Sequence, residues 1–90
     1  MLYALICTDK TDHTETRKAN RDAHLAYIEA TGVVTMAGPL LDGAGEMSGS
    51  LVILDVEDLA AAEDWASNDP YAKAGLFSDV RIEAWKKVIG

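Results

Sequence analysis

Two short apolar runs with no polar side constrain this chain more than anything else in it. Residues 50–56 read SLVILDV and residues 2–8 read LYALICT. Successive side chains of a strand point to opposite faces of its sheet. A strand in an antiparallel sheet with one solvated face should therefore alternate apolar and polar residues. Here Leu51 and Ile53 oppose Val52, Leu54 and Val56, while Leu2, Ala4 and Ile6 oppose Tyr3, Leu5 and Cys7. Both faces ask for burial, and the helices of a 90-residue chain can cover only one. A large exposed apolar patch implies an interface, so the pattern predicts a homodimer through the open sheet face. A strongly curved sheet with loops folded across its open side is the alternative.

The remaining segments organise around these runs. The pattern predicts a helix over 14–31, ended by Gly32 at a left-handed cap. Asp12 and Glu15 have the spacing of a capping box, with Thr14 as a rival cap. Residues 33–37, VVTMA, read as a second strand halted by Gly38-Pro39, and 42–49, DGAGEMSG, as a polar glycine-rich loop. Residues 50–56 make the third strand. Glu57-Asp58 open a second helix over 58–67, on which Leu59, Ala62, Trp65 and Ala66 share a face. Residues 80–88 read as a fourth strand. The order βαββαβ predicts a ferredoxin-like α+β fold in one domain, 1–90, with a four-stranded antiparallel sheet and two helices on one face.

Charge and composition narrow the functions available. Fifteen acidic against eight basic residues give a formal charge of −7. A field of that sign repels phosphate backbones and anionic lipid, which argues against nucleic acid and membrane as partners. No apolar run approaches the ~20 residues of a membrane span, and the first residues lack a signal peptide's basic region. One cysteine, Cys7, permits no internal disulfide, so the expected compartment is the reducing cytoplasm.

Helical spacing sets Arg17, Arg21, His24, Ile28 and Thr31 along one stripe. Two arginines and a histidine beside an isoleucine are unusual for a pure core face. Histidine's reference pKa lies near neutrality, so His24 suits proton transfer, although a lone helical histidine is more often structural. The arginines suit an anionic substrate group. For Arg17, an exposed position on a solvated face is the favoured reading. Asp69, in the stretch NDPY, caps a short helical turn with Pro70 at its first position, or is held there to meet another group. In this fold the turn and the first helix are neighbours, so Asp69 can reach the His24 ring and fix its tautomer. His13 is assigned no role, and Cys7 reads as a small buried hydrophobe. Trp65 and Trp85 read as packing. Two histidines and a cysteine at 13, 24 and 7 match no metal-ligand spacing. DGAGEMSG lacks the lysine and following helix of a phosphate loop.

Several stretches together resemble one family: MLYALICTDK, RDAHLAYI, MAGPLLD, SGSLVI, AEDWASNDPYAKAGL and EAWKKV, which span nearly the whole chain in order. The chain resembles the YciI-like (YCII-related) family of small dimeric α+β barrel proteins. The resemblance implies a ferredoxin-like fold dimerised through its sheets, and a cleft with a His and an Asp that match His24 and Asp69. It also implies an enzyme, an inference that in the family rests on the His–Asp pair, and some relatives act as dehydrochlorinases on chlorinated hydroxyquinols. The wider superfamily includes muconolactone isomerases and cofactor-free monooxygenases. The loop at 42–49 is short for the family, which trims one rim of the cleft. The resulting expectation is a small enzyme of elimination or isomerisation on a cyclic or aromatic-derived metabolite. His24 would be general acid/base and Asp69 its orienting partner. Arg21 and Tyr71 would bind a substrate oxygen, and Ser50 and Gly38 would line the cleft. No cofactor or metal is required by this reading. The alternative is a non-catalytic dimer that binds a small molecule or serves as an accessory protein.

Overall fold

The two segments that are apolar on both sides become the two inner strands of one sheet. In the computed structural model, which describes residues 1–90, β1 (Leu2–Asp9) is followed by α1 (Thr14–Thr31) and then β2 (Val34–Leu41). β3 (Met47–Asp55), α2 (Leu59–Asn68), the single turn α3 (Pro70–Lys73) and β4 (Phe77–Trp85) complete the chain. The strand order is β2-β3-β1-β4 with every pairing antiparallel, the ferredoxin-like arrangement. β1 and β3 therefore have neighbours on both edges. β2, which contains Gly38 and Pro39, and the more polar β4 take the outside.

Register divides the apolar residues as the alternation requires. Tyr3 lies opposite Leu54, Leu5 opposite Val52 and Cys7 opposite Ser50. This face packs under the helices and, with Ala62 and Trp65 of α2, forms the core. Leu5, Val52, Leu54 and Leu76 are at most 1% exposed, and each contributes about 1.5–3 kcal/mol through burial. Trp65 ties the helices together: its Nε1–H donates to Thr31 Oγ1, while Tyr27 Oη–H donates to the Trp65 carbonyl, both at 2.9 Å. The opposite face presents Ala4 against Ile53 and Ile6 against Leu51, with Met36, Arg81 and Glu83 flanking. There Met36, Leu51 and Trp85 remain 52%, 38% and 39% exposed. Trp85 is thus a half-open residue on the outer face and not part of the core.

Helix α1 ends as expected, with Gly32 left-handed (φ 66°) and its N–H donating to the Ile28 carbonyl. Its start differs. His13 occupies the cap position with no side-chain cap bond, and Asp12 adopts φ 59°, so no capping box forms. β2 does not stop at Gly38-Pro39 but runs on to Leu41, with Pro39 opposite Ser50. Proline lacks a donor, and an edge strand tolerates it because one side of its backbone needs no ladder bond. β3 correspondingly starts at Met47, leaving a tight connection in which Asp42 Oδ1 accepts from the N–H groups of Ala44 and Glu46. Gly49 is required within β3, since a Cβ there would overlap the Cys7 carbonyl of β1. β4 begins at Phe77, three residues earlier than expected, because the chain pairs with Asp9 immediately after the α3 turn. No helix is long and apolar enough to cross a membrane.

Candidate active site

The turn at 69–73 determines how the site is built. Asp69 is extended (φ −61°, ψ 128°), closing α2 and opening α3, with Pro70 at the first helical position. Its Oδ1 accepts the Tyr71 N–H at 3.0 Å, a cap that satisfies one orphan donor. The same oxygen lies 2.7 Å from His24 Nδ1, projected from the middle of α1. Both functions proposed for Asp69 thus converge on one atom. Asp69 and His24 are 3% and 6% exposed, so the contact is shielded from water. A carboxylate only accepts, hence Nδ1 carries the proton. Nε2 has no hydrogen-bond partner and is not enclosed, because every fully buried side-chain polar atom is paired.

Tyr71 packs its ring on the imidazole at a centroid distance of 4.0 Å and 15° between planes. Arg17 places its guanidinium over the Tyr71 ring, with Cζ 4.8 Å from the centroid. The arginine is not exposed, contrary to the sequence expectation. It is 4% exposed, donating through Nε to Asp9 Oδ2 at 2.8 Å and through Nη2 to Asp9 Oδ1 at 2.9 Å. Nη2 also donates to Ser50 Oγ at 2.9 Å, linking the end of β1, α1 and β3. Burial alone would lower the Arg17 pKa, but the bond and charge of Asp9 carry it above its ordinary value. Desolvation raises the Tyr71 phenol, opposed by Arg17 and Arg21, and the net effect leaves the hydroxyl neutral around pH 7. Arg17 acts on this oxygen by charge and by hydrogen bonding, and the oxygen, like Nε2, is not enclosed.

These groups face a cavity of about 340 Å³ between α1 and the β2–β3 side of the sheet. His24, Arg21, Tyr71, Ser50 and Gly38 all line it, as do Arg17 and Lys18. Leu25, Ile28, Val52 and Pro39 supply an apolar wall. Asp69 does not line it and stands behind His24. A broader, shallower depression between Asn20 and Lys73 on the helical side shares none of these groups. His13 is half-buried and bonds only to the Thr11 carbonyl. Asp9 is the supporting residue that the sequence pattern does not single out. The available signal was an acid at a strand end eight residues before an arginine, a spacing that lets the two close over the β1–α1 connection.

Cys7 is 2% exposed, and its thiol is pushed up to about 12, first by desolvation and then by the charges of Asp69 and Asp9. A thiol whose folded pKa exceeds the unfolded value stabilises fully below the latter and progressively loses that contribution above it. Stability is expected to fall as pH rises from 9 towards 12. In denaturant titrations at neutral and alkaline pH, part of that fall should vanish in Cys7→Ala. An identical alkaline slope in that variant would reject the assignment.

The comparison with known proteins bears on this geometry. The YCII-related domain matches residues 1–86. The chain belongs to the YCII-related family. It is 40% identical to Protein YciI of Escherichia coli over 97 aligned positions, covering 98% of this chain and 99% of the relative. An uncharacterized protein of Haemophilus influenzae is 37% identical over the same coverage. Among solved structures, the chain resembles 5-chloro-2-hydroxyhydroquinone dehydrochlorinase (TftG) of Burkholderia phenoliruptrix, in complex with 2,5-dihydroxybenzoquinone. That match has a TM-score of 0.88 at 33% identity, covering 96% of this chain and 94% of the other. An Arabidopsis thaliana protein at 9% identity and TM-score 0.54 shares the fold alone. The family and the ferredoxin-like α+β fold expected from the sequence are thereby established.

Proposed function

We propose that this YCII-related chain is an enzyme of proton-transfer chemistry, an elimination or isomerisation, on a small cyclic or aromatic-derived metabolite. The observation that carries this reading is the buried His24–Asp69 contact, with the second imidazole nitrogen left unpaired at a cavity wall. His24 Nε2 takes a proton from a ring carbon or hydroxyl, and the Asp69 carboxylate stabilises the imidazolium that forms. In an elimination the electron pair released forms a new double bond, and chloride leaves with the C–Cl pair. Ser50 Oγ already accepts from Arg17, so its own hydroxyl proton is free to donate to the substrate oxygen where charge accumulates. Proton transfer of this kind contributes about 10²–10⁴-fold, and positioning by the cavity supplies the remainder. The likeness to a dehydrochlorinase supports the reaction class.

The functional unit in this proposal is a homodimer joined through the open sheet face, which leaves the helix-side cavity accessible. The test is chloride release from 5-chloro-2-hydroxyhydroquinone, the compound named for the similar enzyme. Wild-type protein is expected to release chloride and His24→Ala to lose that activity while remaining folded. Equal turnover by both proteins rejects the mechanism. Binding without turnover by the wild type favours a non-catalytic binding protein instead.

A further inference from the structure

The charge of the cavity contradicts the charge of the molecule. The chain has 15 acidic residues and a formal charge of −7, yet no Asp or Glu lines the cavity, which instead has Arg17, Lys18 and Arg21. The three cations are not equivalent. Arg17 is neutralised from behind by both oxygens of Asp9. Lys18 lies 3.8 Å from Glu15 on the exposed helix surface. Arg21 makes no ion pair and no hydrogen bond within the chain, although its field reaches the Tyr71 phenol. Deeper in, the Tyr71 hydroxyl belongs to a residue 97% removed from solvent, and its polar neighbour, the Arg17 guanidinium, can only donate to it, which leaves the phenol proton free for a ligand.

From this arrangement we infer that the cavity selects a small planar ring compound bearing a negative charge, paired with Arg21 at the mouth and accepting a hydrogen bond from Tyr71. The inference deepens the proposed function by specifying the substrate's charge, and it depends on that reading only for placing the ligand in the same cavity. The size supports a single-ring ligand, since 340 Å³ lies at the small end of the roughly 300–1,000 Å³ typical of ligand pockets. Leu25, Ile28 and Val52 give the ring an apolar wall, while Arg21 suits a carboxylate or ionised enol because its planar fork donates two parallel bonds. The net charge of −7 repels anions at long range, so a cationic mouth offers them a favourable local entry.

Salicylate and salicylamide test the inference, because they share shape and differ in charge. Titration followed by NMR of the His24 and Tyr71 ring resonances is expected to show salicylate binding at least about tenfold more tightly than the amide at low ionic strength. That advantage should shrink between about 50 mM and about 500 mM sodium chloride as the charges are screened. Arg21→Gln should remove most of the advantage, weakening salicylate far more than salicylamide. His24→Ala should retain the preference, so loss of catalysis and loss of charge selection are read separately. Equal or tighter binding of the amide, an undiminished preference in Arg21→Gln, or no ring shift with either probe overturns the proposal.

Discussion

Asp69→Asn is expected to lower turnover by roughly 10²–10⁴-fold while shifting the melting temperature little. Asparagine is as good a helix cap as aspartate, and its carbonyl oxygen still accepts the Tyr71 N–H that Asp69 Oδ1 accepts at 3.0 Å. What it lacks is the charge facing His24 Nδ1 at 2.7 Å. A neutral amide stabilises the imidazolium poorly, and turned the other way it donates to Nδ1 and fixes the wrong tautomer. Asp69→Ala separates the two duties further. It removes the cap, which costs about 1 kcal/mol, and leaves the buried Nδ1–H without an acceptor, which costs about 1–3 kcal/mol more. Each kcal/mol lowers the melting temperature by roughly 4–8 °C in a domain of this size. Asn and Ala variants should therefore be similarly inactive and clearly different in melting. Turnover by Asp69→Asn within a few fold of wild type would remove the carboxylate from the mechanism.

That one atom serves both a cap and an imidazole explains how the site could be read from sequence while its support could not. Asp-Pro after an apolar helix is a local signal, because proline at a first helical position follows from its fixed φ and missing N–H. His24 follows from spacing along α1, the βαββαβ topology makes the turn and α1 neighbours, and the family resemblance points to the same pair. Arg17 defeated the same reasoning. Its burial depends on Asp9 and Ser50, residues 8 and 33 positions away, and a buried charge is tolerable only when such partners exist. Periodicity registers that an arginine shares a stripe with Ile28 but not that an acid waits beneath it. Strand limits fail for a related reason. Gly38-Pro39 is a strong local stop signal, and it is overridden because β2 is an edge strand that pairs with β3 alone, a fact of topology. Faces were readable where ends were not: the period-two alternation of β1 and β3 reappears residue by residue in their pairing, from Tyr3 opposite Leu54 to Cys7 opposite Ser50.

The largest effect on assembly is expected from Leu51→Glu, which should convert a homodimer into monomers. Leu51 lies on the face away from the helices, opposite Ile6 and Gly38, and is 38% exposed in the single chain. A glutamate there reaches water as long as the face is open, so the monomer should fold with a change of no more than about 0.5 kcal/mol. Closing a two-fold interface over it would bury the added charge of each copy. An uncompensated buried charge costs about 3–5 kcal/mol, and every 1.4 kcal/mol weakens association tenfold, so the dimer constant should rise by about a thousandfold or more. Leu59→Glu is the matched control: it adds the same charge at a residue 48% exposed at the start of α2, on the helical side. Light scattering across a concentration series should show dimers for wild type and Leu59→Glu, and monomers for Leu51→Glu. Melting adds an independent readout. Association stabilises the folded chain by mass action, so the wild-type melting temperature should rise with protein concentration and that of Leu51→Glu should not. Undisturbed dimers in Leu51→Glu, or a monomeric wild type, would mean that Met36, Leu51 and Trp85 face water because the fold needs no partner there.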